Sequence, residues 1–357
     1  MKLTVNITLL IVLGVAYTVI AIIRKVAYSP DLIDWNTISI LAALIIVNTG
    51  LMHSGGLDFI SYNLMRVMRS QRELLITSIS LTTFLSMFLT NDVALLVLIP
   101  ITLSAGKFSG KSMDDVIIFQ AMAANVGSML MPFGNPQNII MFRTFHLDFL
   151  HFFLSMLPIF IVSLAILLGL SLVVKNDSVQ AVAYPKKPNF LFFFIFITLL
   201  ITLIIFMLTD RSAYFFLVVI VLSVVFLIAL EPATITKVDY VLIVVFILIF
   251  LVMNSLRQLI SFSPGNESLD IFFLSLIFSQ FISNVPTTVL FGKVSSWVAL
   301  SYGVNVGGNG TVVASLANII ALRNLSGRNF FRFNKFSFIF LAMTVAVGVP
   351  ILLLVLK

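Results

Sequence analysis

No cysteine occurs anywhere in this chain, and histidine occurs only three times. The first absence excludes disulfides and thiolate metal sites. The second leaves His53, His146 and His151 scattered among loops and span ends. They form no metal-binding cluster and no evident catalytic set, so neither a resident cofactor nor an enzyme is expected. Charge is also scarce, at 10% of the 357 residues, where a soluble domain carries about a quarter. The net charge of +7 is therefore read through the placement of Lys and Arg around a bilayer, and no nucleic-acid partner is expected.

Apolar surface is what the chain has in abundance: 60% of residues are hydrophobic and the mean hydropathy is +1.16. An all-α polytopic membrane protein follows. The first apolar run, Leu3 to Ile23, ends at Arg24-Lys25. It is too long for a signal-peptide core and lacks a small-residue cleavage pattern, so it counts as a span. Further spans are predicted at 35–52, 152–174, 190–208, 213–230, 240–256 and 336–356. Each holds roughly the twenty apolar residues that cross hydrocarbon.

Two apolar regions break that pattern. Residues 73–104 carry Thr90-Asn91-Asp92 at their centre, and residues 269–300 carry Ser283-Asn284-Val285-Pro286. Arms of about 12–17 residues reach about 18–25 Å at the helical rise, and a pair of them around a polar tip describes a re-entrant hairpin. Segments 116–145 and 301–322 read as broken helices, spans interrupted by polar, Gly-rich stretches. Segment 56–72 reads as an interfacial helix: Leu57, Ile60, Leu64 and Val67 fall at helical spacing beside Arg66, Arg69 and Arg72.

The polar stretch 175–189 is expected to be a cytoplasmic linker between a first half, 1–174, and a second, 190–357. About nine full crossings and two hairpins, with the N-terminus inside, place fourteen of the twenty-one basic residues in the cytoplasm. Arg24 and Lys25 are the main exceptions to this bias, which fits a multi-pass protein of the plasma or inner membrane.

The two halves repeat each other. At a constant offset of 180, Asn125, Val126, Gly127, Asn138, Ile139, Ile140 and Arg143 match Asn305, Val306, Gly307, Asn318, Ile319, Ile320 and Arg323. At an offset of 193, "FLSMFLTN" (84–91) aligns with "IFSQFISN" (277–284). Asp34-Trp35 resembles Asp239-Tyr240, each opening the span before a hairpin. Nine crossings put the copies in opposite orientations, an inverted repeat. Paired broken helices in inverted repeats mark secondary transporters whose site lies near the midplane. A break leaves backbone N–H and C=O groups unpaired, at several kcal/mol each in lipid, and persists only where it lines protein or water.

"FLTNDVALLVLIP", "NVGSMLMPFGNPQN", "SQFISNVPTTVLF" and "GGNGTVVASLAN" resemble the signature segments of the ion transporter superfamily. That group includes arsenite permeases, citrate–metal symporters, divalent anion–sodium symporters and some sodium–proton antiporters. The resemblance spans about 34–143 and 239–323 and is specific at superfamily level. It implies elevator-like movement of the hairpin-bearing part against a scaffold. In the sodium-coupled anion members a Ser-Asn-Thr motif at each tip contacts sodium and substrate. Thr90-Asn91-Asp92 and Ser283-Asn284-Val285 stand at those positions, with Asp and Val in place of the Thr. Both departures weaken the case for a dicarboxylate held by paired tip hydroxyls. Gly134-Asn135-Pro136-Gln137-Asn138 resembles the family's Gly-Thr-Pro-Pro-Asn break. The stretch Ala314 to Asn318 lacks proline and is closer to the arsenite-permease and citrate–metal pattern. The chain is short for the superfamily, which implies one N-terminal span fewer, and sodium-coupled relatives imply a homodimer as one option for its assembly.

Asp92 is the sharpest candidate. A carboxylate at membrane depth costs at least about 2.5 kcal/mol and is functional by default. It reads as a cation or proton site, and also as the N-cap of the returning arm. Asn91 and Asn284 offer donors and acceptors at the two tips, and with Asp92 they are the candidate sodium ligands. Thr90 and Ser283 are weaker, because hydroxyls often satisfy their own helix. Asn125, Asn138, Asn305 and Asn318 read equally as ligands or as locks on the breaks. Gly308, Asn309, Gly310 and Thr311 form either a second cation loop or a close-packing contact. Arg143 and Arg323 read as snorkelling anchors and Lys293 as an interfacial residue. These residues suit a small-molecule or ion substrate moved across a lipid bilayer, with sodium or a proton as the coupling ion. A sodium–proton antiporter with Asp92 as the exchanged site is the alternative.

Overall fold

The computed structural model of the chain describes residues 2–24, 30–174, 187–209, 212–260, 265 and 267–356. The expected linker at 175–189 lies outside the described residues up to 186. Among the described residues all regular structure is helical. The first half runs α1 Lys2–Arg24, α2 Trp35–His53, α3 Gly56–Met65, α4 Gln71–Phe88, α5 Asn91–Ser109, α6 Asp114–Leu130, α7 Pro136–Thr144 and α8 Phe149–Ser171. The second runs α9 Phe190–Leu208, α10 Ala213–Leu230, α11 Tyr240–Leu259, α12 Ser268–Ile282, α13 Asn284–Leu290, α14 Trp297–Gly307, α15 Leu316–Arg323 and α16 Phe330–Val355. Six of the described helical stretches are long and apolar enough to cross a bilayer, a multi-pass membrane architecture.

Local chemistry places the ends of these helices. Ser70 accepts from Glu73 N at 3.2 Å while Glu73 Oε2 accepts from Arg69 N at 3.0 Å, a reciprocal cap that starts α4. Asp34, Asp148, Asn189 and Asp239 cap α2, α8, α9 and α11 from one side only, each accepting from an N–H of the first turn. The first helix break is built by proline. Met131, held extended before Pro132, ends α6, and Asn135 caps α7 with Pro136 at its first position. The second break has no proline. There Gly310, at φ 104°, turns the chain in a conformation that side chains rarely adopt, and Ser315 caps α15.

The halves also pack alike. In each, the first hairpin arm lies along the first part of the broken helix, α4 on α6 and α12 on α14. The second arms cross over, α5 touching α15 and α13 touching α7. The glycine of the repeated Asn-Val-Gly makes the α4–α6 contact close. A Cβ on Gly127 would stand 2.2 Å from Thr83 O and 2.3 Å from Ser86 Oγ. At the matching Gly307 it would stand 3.1 Å from Leu276 Cα and from Ser279 Cβ. Gly127→Ala is therefore expected to cost about 1–3 kcal/mol, since backbone must shift to admit the methyl group. A lower thermal midpoint of the detergent-purified protein checks this.

Three expected boundaries are corrected. The second hairpin was expected over 269–300, but its returning arm, α13, ends at Leu290. A turn through Gly292 and the exposed Lys293 follows, and Ser296 caps α14 by accepting from Ala299 N at 3.3 Å. The second broken helix thus begins at Trp297 and not at 301. The interfacial helix expected over 56–72 stops at Met65. Its Leu57 and Met65 are buried, while Ile60, Leu64 and Val67 face outward.

Candidate functional site

Two hairpin tips and two helix breaks meet at the centre of the fold, and a set of buried side-chain amides joins them. Asn125 Nδ2 lies 3.0 Å from Asn318 Oδ1, and Asn305 Nδ2 lies 2.8 Å from Asn138 Oδ1. Each entry Asn therefore donates to the exit Asn of the other half. The exit residues close their own breaks in matching fashion. Asn138 Nδ2 reaches Ser128 O at 3.1 Å and Met131 O at 3.0 Å, and Asn318 Nδ2 reaches Gly308 O at 2.8 Å and Thr311 O at 3.0 Å. All of these positions stand 180 apart. The caps follow the same rule: Asn135 Nδ2 donates to Asn305 Oδ1 at 3.0 Å and Ser315 Oγ to Asn125 Oδ1 at 3.0 Å. Buried carbonyls that the broken helices would otherwise orphan are satisfied in this way.

The tips rest on this brace. Asn91 Nδ2 donates to Asn125 Oδ1 at 3.3 Å, and Asn91 Oδ1 accepts from Asp92 N at 3.0 Å. At the other tip Ser283 Oγ donates to Ala314 O at 3.2 Å. Ser283 holds φ 73° and ψ 157°, a region nearly confined to glycine that costs about 1–3 kcal/mol. Thr90 is conventionally extended, so only the second tip is strained.

Two cavities flank the tips. One, of about 410 Å³, lies between α2, the start of α5 and the turn leading into α11, with Asn48, His53, Thr90, Asp92, Lys237 and Asp239 among its lining. The other, of about 390 Å³, reaches both tips and is walled by apolar residues of α1 and α11. Asp92 and Pro136 border both. Asp92 is only 8% exposed and sits in the first turn of α5, where the helix dipole favours its charge. Among the described residues, Asp92 is also the sole ionisable side chain lining the second cavity.

The chain matches a protein family described as citrate transporter over residues 3–296. It belongs to the citrate transporter family. An uncharacterized transporter of Methanocaldococcus jannaschii is 32% identical over 305 residues, covering 83% of this chain and 82% of its own length. The inner membrane protein YbiR of Escherichia coli is 31% identical over 338 residues, 91% of this chain and 89% of its own. The resemblance to the ion transporter superfamily is thus established at the level of family; one of these relatives is named a transporter and the other an inner membrane protein.

In this family member the expected site residues separate into two groups. Thr90, Asn91, Asp92, Pro136, Ser283, Asn284 and Val285 line the cavities. Asn125, Asn135, Asn138, Asn305, Asn309 and Asn318 are buried in the brace, bonded to protein. Gly134 packs against Ser128, where a Cβ would meet the Ser128 carbonyl oxygen at 2.4 Å. The loop of Gly308, Asn309, Gly310 and Thr311 is tied down. Gln280 Oε1 accepts from Thr311 N at 2.9 Å, Gln280 Nε2 donates to Gly307 O at 2.6 Å, and Gly310 N donates to Ser337 Oγ at 2.8 Å.

Sequence reasoning missed Ser315, Gln137, Gln280 and Asn48. Ser315 was legible in principle, since it stands 180 after Asn135. Gln280, three residues before the second tip, has no polar counterpart in the first.

Proposed function

We propose that the chain is a secondary active transporter that moves a small anion or oxyanion-type solute, coupled to sodium or protons. The observation that carries this reading is the position of Asp92: it borders both cavities at the point where the hairpin tips meet the first break. A buried acid there can take a cation or proton, and the solute then occupies a site that is electrically compensated. The N-terminal residues of α5, α7 and α15 line the same cavity of about 390 Å³ as Asp92, and helix N-termini favour the oxygens of an anion.

In this reading 1–174 and 190–357 are inverted repeats with about nine crossings and two re-entrant hairpins. The N-terminus lies in the cytoplasm of a plasma or inner membrane. The hairpins and broken helices form a carrier, while α1, α2, α9, α10 and α11 form the scaffold past which it moves in an elevator-like stroke. The amide brace supports this division by tying both breaks into one unit, and α9 and α10 pack on each other and on α2, which is the helix of this group that meets α5 and α7. The cavity beside His53 and Lys237 then opens to the cytoplasm. The drive comes from the coupling ion, with no organic cofactor.

A sodium–proton antiporter is the second reading, favoured by Asp92 being the single ionisable side chain among the described residues of the inter-tip cavity. Proteoliposome flux separates the two. Labelled solute entering only under a sodium or proton gradient supports the first, and solute-independent sodium–proton exchange supports the second. Uptake that ignores both gradients would remove the coupled-transport reading.

A further inference from the structure

Asn48 lies on α2, outside the brace and outside both hairpins. It is 1% exposed. Its Nδ2 approaches Thr90 Oγ1 at 3.5 Å, long for a hydrogen bond, and its Oδ1 has no hydrogen-bond partner. Turning the amide over would only exchange the orphan, leaving the nitrogen unsatisfied instead. Buried side-chain polar atoms are overwhelmingly paired, so this one calls for a partner. The brace, by contrast, leaves none of its own amide atoms in that condition.

The surroundings point to what the partner is. Asn48, Thr90 and Asp92 border the same cavity of about 410 Å³ and bring an amide, a hydroxyl and a carboxylate group. Oxygen donors without nitrogen or sulfur are the set that hard cations prefer. A carboxylate has about four lone-pair sites, so Asp92 can serve its own helix and still ligate. Water could fill Asn48's valence, but a cation answers the Asn48 oxygen and the Asp92 carboxylate together. His53, Lys237 and Asp239 border the cavity farther along, from the end of α2 and the turn before α11.

We propose that Asn48, Thr90 and Asp92 form a sodium site that bridges α2 and the first hairpin tip. The inference rests on the transporter reading, in which α2 belongs to the scaffold and the hairpin to the carrier. The site is then whole only while the tip is docked against α2. Bound sodium pins the carrier in the docked arrangement, and its departure frees the stroke. Ion occupancy thereby becomes a condition on movement.

Thermal unfolding of the full chain in detergent tests this, with sodium chloride exchanged for choline chloride at constant ionic strength. In the wild type the midpoint rises with sodium, as binding to the folded state requires. Asn48→Leu is expected to shift the sodium concentration giving half that rise by about tenfold or more. Its midpoint in choline should equal or exceed that of the wild type, because the orphaned amide is gone. Asn48→Asp, which keeps an oxygen in place, should retain the sodium response. An unchanged sodium response in Asn48→Leu overturns the proposal, as does a wild type indifferent to sodium. If Asp92→Asn alone loses the response, the ion sits in the hairpin without α2; the proposal fails and the transporter reading stands. If gradient-driven flux is absent while Asn48→Leu still weakens sodium, the site stands and the transporter reading fails.

Discussion

Asp92→Asn is expected to fold, to insert, and to lose coupled transport by about 100-fold or more. Asparagine keeps the size and hydrogen-bonding reach of the side chain. It gives up the favourable term between a carboxylate and the N-terminus of α5, worth about 0.3–1 kcal/mol, so stability should barely change. The expected loss is in charge. Removing one partner from a buried charge pair costs about 2–5 kcal/mol of binding, and each 1.4 kcal/mol is about tenfold. The neutral variant should therefore bind solute without being driven by the ion. Counterflow and gradient-driven uptake in the same liposomes distinguish the two defects: exchange of solute persists while accumulation fails. Equal accumulation by variant and wild type would remove the carboxylate from the mechanism.

Asn138→Leu carries the second large effect, and it falls on folding. The side chain is fully buried and gives its amide protons to the carbonyls of Ser128, Met129 and Met131. Its Oδ1 accepts from Asn305 at 2.8 Å. Leucine matches the volume and answers none of these groups, and each orphaned group costs about 1–3 kcal/mol. A loss of about 4 kcal/mol or more is expected, near the limit for a single substitution. Asn318→Leu should do the same from the other half. The double variant should cost less than the sum, because the two residues share one network. Thermal midpoints of the three variants decide the matter, and strict additivity would mean that the breaks are not braced together.

The sequence announces this architecture where polar residues interrupt apolar runs. Thr90-Asn91-Asp92, Ser283-Asn284 and "MPFGNPQN" cannot face lipid, so tips and breaks were legible from composition alone. The offset of 180 also identified the right asparagines. It could not tell that Asn125 bonds Asn318 while Asn305 bonds Asn138, because a one-dimensional match does not say which copy a side chain faces. The second hairpin is shorter than its apolar run suggests, because the turn after Leu290 carries only Gly292 and Lys293 as interruptions and the next helix is signalled by the cap at Ser296 alone. Asn48 carries no signal in the sequence, since nothing around a lone Asn in a span shows that it is buried against Thr90 with its Oδ1 unanswered.

The two breaks have the same bonds but are made of different chain. Pro132 and Pro136 arrive with φ already fixed, so the first break surrenders little freedom when it forms. The second is assembled from Gly307, Gly308 and Gly310, and a glycine forfeits about 0.5–1 kcal/mol more than alanine does on being ordered. The brace therefore joins a stiff joint to a soft one. Local opening should begin at the soft joint, and backbone amides of 308–315 should exchange with deuterated solvent ahead of the free amides of 131–138. If the first break exchanged sooner, composition would not be what sets their order. A molecule with matched halves would thus fluctuate from one side only, which gives an otherwise balanced machine a direction in which to yield.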